Sequence, residues 1–456
     1  MIRLLLADLR TNLASRLGPL ITIIGVTITL GVGLSLSATS VFYGGKIAQS
    51  MGTTATIVLV GAIIASGLVI SSVQRIAVEL RGRDYAIWQL AGVLPATIGR
   101  LVIAQSLVVA MAGALVGAII ADLIVPSTIQ ALWREGLAKD GTIMRFGPGA
   151  ALVDILAVTA LVLISTIPAA RRASRTPALA VLRESTPPMA RMTLRRWIAV
   201  AVSLLAITAL VLGMSGGRSE LVGMGAMLPP VLVALAASVA PILYPRVLRL
   251  WTALLPARVS PAWYLGRHNA RHKLSRSTAA ITPMMVAVAI AGGPISDIAT
   301  ATNAILITRD SPPDYYTKDS SGNLALLLVL VGAPVAVATL GSAVVVFVTG
   351  RDRYRDNALL RAAGATNTTI VAASIAEALI HAATAFLLGL AGIALSASII
   401  AALFMRETGG IPVMPYIPVA ETAGIFAAGL ALILVSTVGP TLLSLRADVP
   451  AMLAAE

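Results

Sequence analysis

Long apolar runs alternate with short arginine-rich segments along the whole chain. Ten runs are long enough to cross a bilayer, because about 20 mostly apolar residues span the hydrocarbon core as a helix. The runs lack the period-two alternation of membrane strands, and backbone groups in lipid must pair internally. The pattern predicts an all-α polytopic membrane protein with ten transmembrane helices. The predicted spans are 17–43, 54–75, 98–125, 149–169, 197–214, 221–244, 278–298, 323–349, 367–404 and 419–444.

The composition and the charge distribution agree with this assignment and orient the spans. Charged residues make up 12% of the chain, against about 25% in soluble domains. With the N-terminus inside, most of the 34 lysines and arginines fall in cytoplasmic segments. We therefore expect a protein of the cytoplasmic membrane with both termini in the cytoplasm, and we attribute the net charge of +14 to topology rather than to nucleic-acid binding. The basic residues left outside are Lys46, Arg134, Lys139, Arg145, Arg218, Arg309, Lys318 and Arg406.

One segment of the chain occurs twice. Asp84-Tyr-Ala-Ile-Trp-Gln-Leu-Ala-Gly92 recurs as Asp356-Asn-Ala-Leu-Leu-Arg-Ala-Ala-Gly364, and matches continue into the following apolar run. An even number of spans separates the copies, so the repeat is parallel, with its axis along the membrane normal. We predict two parallel four-span repeats joined by a two-span connector. The predicted blocks are 1–190, 191–260 and 261–456.

Each copy of the repeated motif places a short amphipathic segment between two spans. Arginines and an acidic residue precede it, and a glycine suited to a helix C-terminus ends it. Such a helix can enter a groove on a partner. The alternative is an interfacial turn whose arginines only fix topology, but two equivalent copies favour docking. The candidate docking residues are Arg83, Asp84, Ala86, Ile87, Trp88, Leu90 and Gly92, with Arg355, Asp356, Ala358, Leu359, Leu360, Arg361 and Gly364.

These motifs resemble the FtsX-like permease domain of MacB, LolC/LolE and BceB type ABC transporter subunits. The stretch from Pro168 to Glu184 is also similar to the end of that domain. The ten-span plan is similar to BceB, but the loops at 44–53 and 299–322 are too short for a large extracellular domain. The resemblance implies that 83–94 and 355–366 are coupling helices that contact the ATPase.

Polar residues inside the spans are few. The family usually carries an acidic residue early in the third span; Glu377 keeps it, and Gln105 replaces it in the first copy. A carboxylate in lipid is costly and is usually paired or functional, so both roles remain open for Glu377. His381 lies one turn later and can pair with it at i,i+4. The chain has no cysteine and three histidines, so we expect no metal site.

The chain lacks the Gly-rich lysine loop that holds nucleotide phosphates, so we do not expect an enzyme. The resemblance implies a permease subunit that works with two copies of an ABC ATPase, which would bind ATP and Mg. Export or membrane extraction of an antimicrobial peptide, a drug or a lipid is the expected activity. Membrane lipid and a sensor histidine kinase are further candidate partners. The alternatives are a signalling protein that controls a cell-envelope partner, and an ion-coupled transporter using Glu377, Asp122, Asp154 and Asp297.

Overall fold

A computed structural model describes residues 13–136, 143–175, 192–215, 224–256, 260–272, 274–309, 320–350 and 353–445. Every regular element within these ranges is a helix, and no strand occurs among them. The predicted all-α fold is therefore confirmed. Both termini, the second half of the stretch from Pro168 to Glu184, and residues 310–319 of the loop at 299–322 lie outside the described residues.

Fourteen long or short helices make up the described part of the chain. In chain order they are α1 (Leu13–Ser40), α2 (Gly45–Leu80), α3 (Gly82–Leu90), α4 (Pro95–Gly136), α5 (Gly147–Arg175), α6 (Leu194–Met214), α7 (Leu228–Ser238), α8 (Ala240–Thr252), α9 (Pro261–His272), α10 (Leu274–Arg309), α11 (Ser320–Gly350), α12 (Arg353–Ala362), α13 (Asn367–Glu407) and α14 (Val419–Leu445).

Nine of the predicted spans coincide with long apolar helices. In the described ranges, nine helices are long and apolar enough to cross a membrane. The exception is the predicted span 221–244, where α7 and α8 form a pair bent by 88°. If that pair counts as one span, the total is the predicted ten.

Prolines explain the break between α7 and α8. Val239 separates the two helices, and Pro241 follows it in the first turn of α8. A proline has no N–H to continue the helix, and its ring clashes with the preceding turn. Pro245 lies one turn later, inside α8, which continues past it to Thr252. The sixth apolar run therefore forms two helices with a bend between them rather than one continuous helix. It extends to Thr252 instead of ending at 244.

The long helices form two four-helix blocks with the same internal contacts. In the first block α1 packs on α2, α4 and α5, while α5 also packs on α2 and α4. In the second block α10 packs on α11, α13 and α14, while α14 also packs on α11 and α13. The helices α6, α7 and α8 lie between the blocks in sequence, and α7 contacts α2, α10 and α13. The two blocks therefore share one pattern of helix-to-helix contacts.

The blocks meet along α1, α2 and α11. A Cβ built on Gly18 of α1 would lie 2.9 Å from Cγ2 of Val348, near the end of α11. Further along α1, the Thr29 hydroxyl donates to the carbonyl oxygen of Ala333 at 3.1 Å. Residues later in α1 contact residues earlier in α11, so these two helices run antiparallel.

In both blocks, hydrogen bonds to serine and threonine hydroxyls connect the first helix to the segment before the fourth helix. We call each set of bonds a hydroxyl clasp. Before α5, the Ser35 hydroxyl donates to the Arg145 carbonyl oxygen at 3.1 Å, and the Arg145 N–H donates to the Thr39 hydroxyl at 3.0 Å. Before α14, Ser296 donates to the Tyr416 carbonyl, and the Tyr416 N–H donates to Thr300 at 3.0 Å. Each clasp joins the end of a block's first helix to the extended segment entering its fourth.

Candidate functional site

The repeated motif forms two short helices, α3 and α12, which we call the junction helices. Each lies between the second and third long helices of its block. Arg81 both ends α2 and caps α3, with φ −96° and ψ 8°. The chain therefore turns sharply at Arg81 without an intervening loop. The predicted short helices after the second and eighth spans are present at both places.

Both junction helices end in the same backbone motif. Gly92 and Gly364 each have φ of 90°, a left-handed conformation that glycine adopts without a side-chain clash. The Val93 N–H donates to the Trp88 carbonyl at 2.9 Å, and the Ala365 N–H donates to the Leu360 carbonyl at 2.9 Å. Such a bond spanning the glycine closes a helix end in a Schellman motif. The glycine therefore fixes the direction in which each third long helix leaves.

One face of each junction helix is buried in its own block. Ala86 is 2% exposed and Ala358 is 0% exposed, and their neighbours Tyr85 and Asn357 are also buried. Tyr85 belongs to an apolar cluster with residues of α4 and α5. The sequence placed both alanines among the docking residues, but the structure turns them toward the protein. Their small size permits close packing of the junction helix on the block.

The opposite face of each junction helix is exposed and apolar. Ile87 is 50% exposed and its counterpart Leu359 is 51% exposed. Leu90 and Leu94 extend the exposed face of the first copy. Asp84, Gly92 and Gly364 are exposed as well, whereas Trp88, Asp356, Leu360 and Arg361 are half-buried. The side chains of Arg83 and Arg355 lie outside the described part of the structure.

Arg81 joins the first junction helix to α4. Its guanidinium donates to the Gln105 side-chain oxygen at 3.3 Å, lies 5.5 Å from the Tyr85 ring centroid, and approaches Asp84 at 3.9 Å. Gln105 is buried. The predicted intramembrane glutamine therefore receives a hydrogen bond from the arginine that begins α3, which couples the junction helix to α4.

Glu377 takes the equivalent place in the second block. It is buried and lines a cavity of about 310 Å³ together with Asn357 and Leu359 of α12. Leu265 and Asn269 of α9 line the same cavity. The cavity therefore adjoins a junction helix, the third long helix and α9. His381, one turn further, lies with its Nε2 3.0 Å from the Ser277 hydroxyl of α10.

Two more carboxylates are buried in the blocks. Asp297 in α10 accepts hydrogen bonds from Ser396 at 3.1 and 2.9 Å, one to each oxygen. Asp154 in α5 is fully buried, and neither of its oxygens has a hydrogen-bond partner among the described residues. Within those residues no three histidine or acidic side chains converge as a metal site would require.

Comparison with known families identifies both junction regions as parts of one domain type. The model of the FtsX-like permease C-terminal domain matches residues 56–178 and 323–449, more than half of the chain. The chain belongs to the FtsX-like permease family. Each matched segment of this FtsX-like permease contains one junction helix with the long helices on either side. No curated protein matches the chain in a sequence comparison.

Membership defines the general role of the protein. An FtsX-like permease is a membrane component, generally not itself the ATPase, and generally pairs with an ABC ATPase. With nine or ten apolar helices in the part of the chain that the structure describes, this FtsX-like permease is a multi-pass membrane protein of the ABC permease class or a related one.

Proposed function

We propose that this protein is the membrane subunit of an ABC transporter and that each junction helix is a dock for one ATPase subunit. The observation that supports this most strongly is the match between the two exposed faces. Ile87 and Leu359 are exposed to the same extent, each one turn before an identical glycine cap. An exposed apolar residue repeated on two equivalent short helices suits insertion into a partner's groove.

The partner would supply the nucleotide chemistry. Two copies of the ATPase would bind ATP and Mg, and this chain would bind no cofactor of its own. Ile87 and Leu90 would contact one copy, and Leu359 would contact the other. The buried alanines, Ala86 and Ala358, would act indirectly by holding the junction helices rigidly on their blocks. ATP-driven closure of the two copies would then move both junction helices together with the long helices.

The first block offers a direct path for this motion. Tyr85 packs with Ile98 and Val102 of α4 and with Ala170 of α5. Arg81 adds a polar link from the same helix to Gln105. A displacement of α3 therefore acts on α4 and α5 at once. We infer that the blocks 1–190 and 261–456 shift against each other around the connector 191–260.

The arginine distribution supports the orientation of the docks. Arginines lie at the start of both junction helices, Arg81 and Arg83 in the first copy and Arg351, Arg353 and Arg355 in the second, and basic segments of this kind face the cytoplasm. We infer that the protein lies in the cytoplasmic membrane with the junction helices and both termini inside. ATP is available on that side, which the docking of ATPases requires.

The substrate class rests on likeness of plan. The ten-span arrangement, similar to BceB, favours export or membrane extraction of an amphipathic substrate such as an antimicrobial peptide, a drug or a lipid. A fold-level analogy of this kind identifies no substrate site. A signalling role, with a cell-envelope partner or a sensor histidine kinase, would use the same two docks. ATP-dependent substrate movement in proteoliposomes separates transport from signalling.

Cysteine cross-linking tests the docks without a background reaction, because the chain has no cysteine. Ile87→Cys and Leu359→Cys variants would be treated with a short thiol–amine cross-linker in membranes that also contain the ATPase. Each variant should yield a product with the mass of one chain plus one ATPase. Met414→Cys serves as the matched control, since Met414 is exposed but lies in the segment before α14. Cross-linking from Met414 alone, or equally from all three positions, would contradict the proposal.

A further inference from the structure

The bent helix pair continues into a basic surface that we call the arginine elbow, comprising α8, residues 253–256 and α9. It is firmly attached to the second block. The Trp251 indole N–H donates to the Thr384 hydroxyl of α13 at 3.0 Å. A Cβ built on Gly266 would lie 2.8 Å from Cβ of Ala376 and 2.9 Å from the Ala373 carbonyl oxygen. The elbow therefore lies in close contact with α13.

The arginine elbow carries a cluster of three arginines, Arg249, Arg267 and Arg271. Arg271 donates to the Arg249 carbonyl at 3.2 Å and, through Nε, to the Thr252 hydroxyl at 3.1 Å. Arg267 donates to the Leu255 carbonyl at 3.4 Å. Burial, and then repulsion from Arg267 and Arg249, lowers the pKa of Arg271. The hydrogen bonds of Arg271 to Thr252 and to the Arg249 carbonyl hold α9 beside the last turn of α8.

No carboxylate in the described part of the chain balances this charge. Among the described residues, none of these three arginines forms an ion pair. Some of the guanidinium N–H groups of Arg267 and Arg271 donate to neutral carbonyl and hydroxyl oxygens. The Arg249 side chain forms no hydrogen bond in the described part of the chain. A positive cluster held in place by carbonyl and hydroxyl groups retains N–H donors for an external anion.

Apolar and aromatic side chains surround the cluster. Leu250, Leu254 and Leu255 are exposed, with Leu254 at 81%. Trp251 and Trp263 meet edge to face with their ring centroids 6.4 Å apart. The elbow lies between the apolar helix α7 and the candidate span that begins at Ser277. Trp251 and Trp263 are half-buried, and basic residues beside exposed leucines and half-buried tryptophans are typical of a surface at the boundary of the membrane.

We propose that the arginine elbow binds the headgroup of an anionic phospholipid. Arg249, Arg267 and Arg271 would contact the phosphate, and Leu250, Leu254 and Leu255 would lie against the acyl chains. The adjoining leucines favour a lipid over a free phosphate ion, because a free ion gains nothing from them.

A bound lipid at this position would act on the second block. The elbow contributes Leu265 and Asn269 to the cavity that Glu377, Asn357 and Leu359 also line. The headgroup would therefore stabilise α9 against α13, beside the second junction helix. This inference does not depend on the ATPase docks, and its test requires no ATPase.

Tryptophan fluorescence can report lipid at the elbow directly. Replacing Trp88, Trp133 and Trp197 by Phe leaves Trp251 and Trp263 as the only tryptophans in the full chain. This variant would be placed in phosphatidylcholine nanodiscs that contain a small fraction of brominated phosphatidylglycerol. Brominated phosphatidylglycerol should quench the emission more strongly than the same fraction of brominated phosphatidylcholine. With Arg249→Gln and Arg267→Gln added, about 30-fold more phosphatidylglycerol should be needed, since each of the two surface arginines contributes about 1 kcal/mol.

A matched variant controls for net charge. Arg171→Gln with Arg195→Gln removes the same charge from exposed positions outside the elbow and should leave the quenching unchanged. The single change Arg249→Gln serves if the double elbow variant does not fold, because the Arg249 side chain forms no hydrogen bond with the residues that the structure describes. Equal quenching by the two brominated lipids would overturn the proposal. Excess inorganic phosphate could instead abolish the preference for brominated phosphatidylglycerol and change the tryptophan emission at the same concentrations in lipid-free detergent. That result would indicate a site for free anions and would also overturn the proposal.

Discussion

Val69 of α2 and Gly341 of α11 touch across the seam between the two blocks. A Cβ built on Gly341 would lie 2.2 Å from Cγ1 of Val69. The two residues have the same separation along the chain as Asp84 and Asp356, so they are equivalent positions of the repeat. Equivalent residues of two rotated copies meet only beside the rotation axis. The axis of the parallel repeat therefore runs between α2 and α11.

Substitution of Gly341 tests the close approach at this axis. Gly341→Ala introduces a methyl group where α2 leaves no room, and overpacking of this kind costs about 1–3 kcal/mol. We expect a lower melting temperature of the purified protein in detergent. Gly332→Ala in the same helix is the control, because a Cβ there meets nothing within 4 Å. Adding Val69→Ala should restore the melting temperature, and failure of this rescue would argue against the seam.

The glycine caps of the junction helices give a second prediction. Gly92→Ala and Gly364→Ala place a Cβ in a left-handed conformation, which costs about 1–2 kcal/mol. Each change should speed amide hydrogen exchange at the end of its own junction helix and leave the other helix unaffected. Gly82→Ala is the control, since that glycine has open space and its φ is not positive. Equal exchange in all three variants would show that the caps do not hold these helix ends.

Sequence patterns were sufficient to predict the long helices and the short helices of the repeated motif. Hydrophobic runs located nine long helices, and the duplicated motif located both junction helices together with their terminal glycines. The inward direction of Ala86 and Ala358 was not predicted. A short amphipathic helix does not reveal which of its apolar faces meets the protein, because small and large apolar residues occur on both. The equal exposure of Ile87 and Leu359 became visible only in the folded chain.

Two other features depend on contacts that a linear pattern does not carry. The sequence contains a local signal for the bend at Val239, namely Pro241 and Pro245. The length of the apolar run nevertheless favoured one continuous span. The hydroxyl clasps join Thr39 to Arg145 and Thr300 to Tyr416 across more than a hundred residues. Serine and threonine near the end of an apolar run usually bond to their own helix, so nothing in the linear pattern indicates that they pair at long range.

Asp154 provides the test of the ion-coupled alternative. Its carboxylate is buried without a hydrogen-bond partner among the described residues, and an unpaired charge in the membrane interior is costly. Asp154→Asn should therefore raise the melting temperature and leave ATP-driven activity in proteoliposomes unchanged. Asp122→Asn, at an exposed position, should change neither. Loss of activity in Asp154→Asn, with collapse of wild-type activity in a protonophore, would instead favour ion coupling.

Surface labelling tests the proposed orientation. Met414 is 83% exposed, Thr368 at the start of α13 is exposed, and the chain has no cysteine. A membrane-impermeant maleimide should react with Met414→Cys in intact cells and with Thr368→Cys only after permeabilisation. The expectation follows from the arginine distribution, which places the start of α13 on the cytoplasmic side. The reverse pattern would mean that the membrane domain is inverted.

The number of ATPase subunits bound per chain tests the central claim most directly. Complexes purified in detergent would be weighed by native mass spectrometry, for the wild type and for Ile87→Ser and Leu359→Ser. We predict one chain with two ATPase copies in the wild type and with one copy in each single variant, because each change removes the apolar contact of one dock. Retention of two copies in both variants, or a wild-type complex with a single ATPase, would contradict the two-dock account.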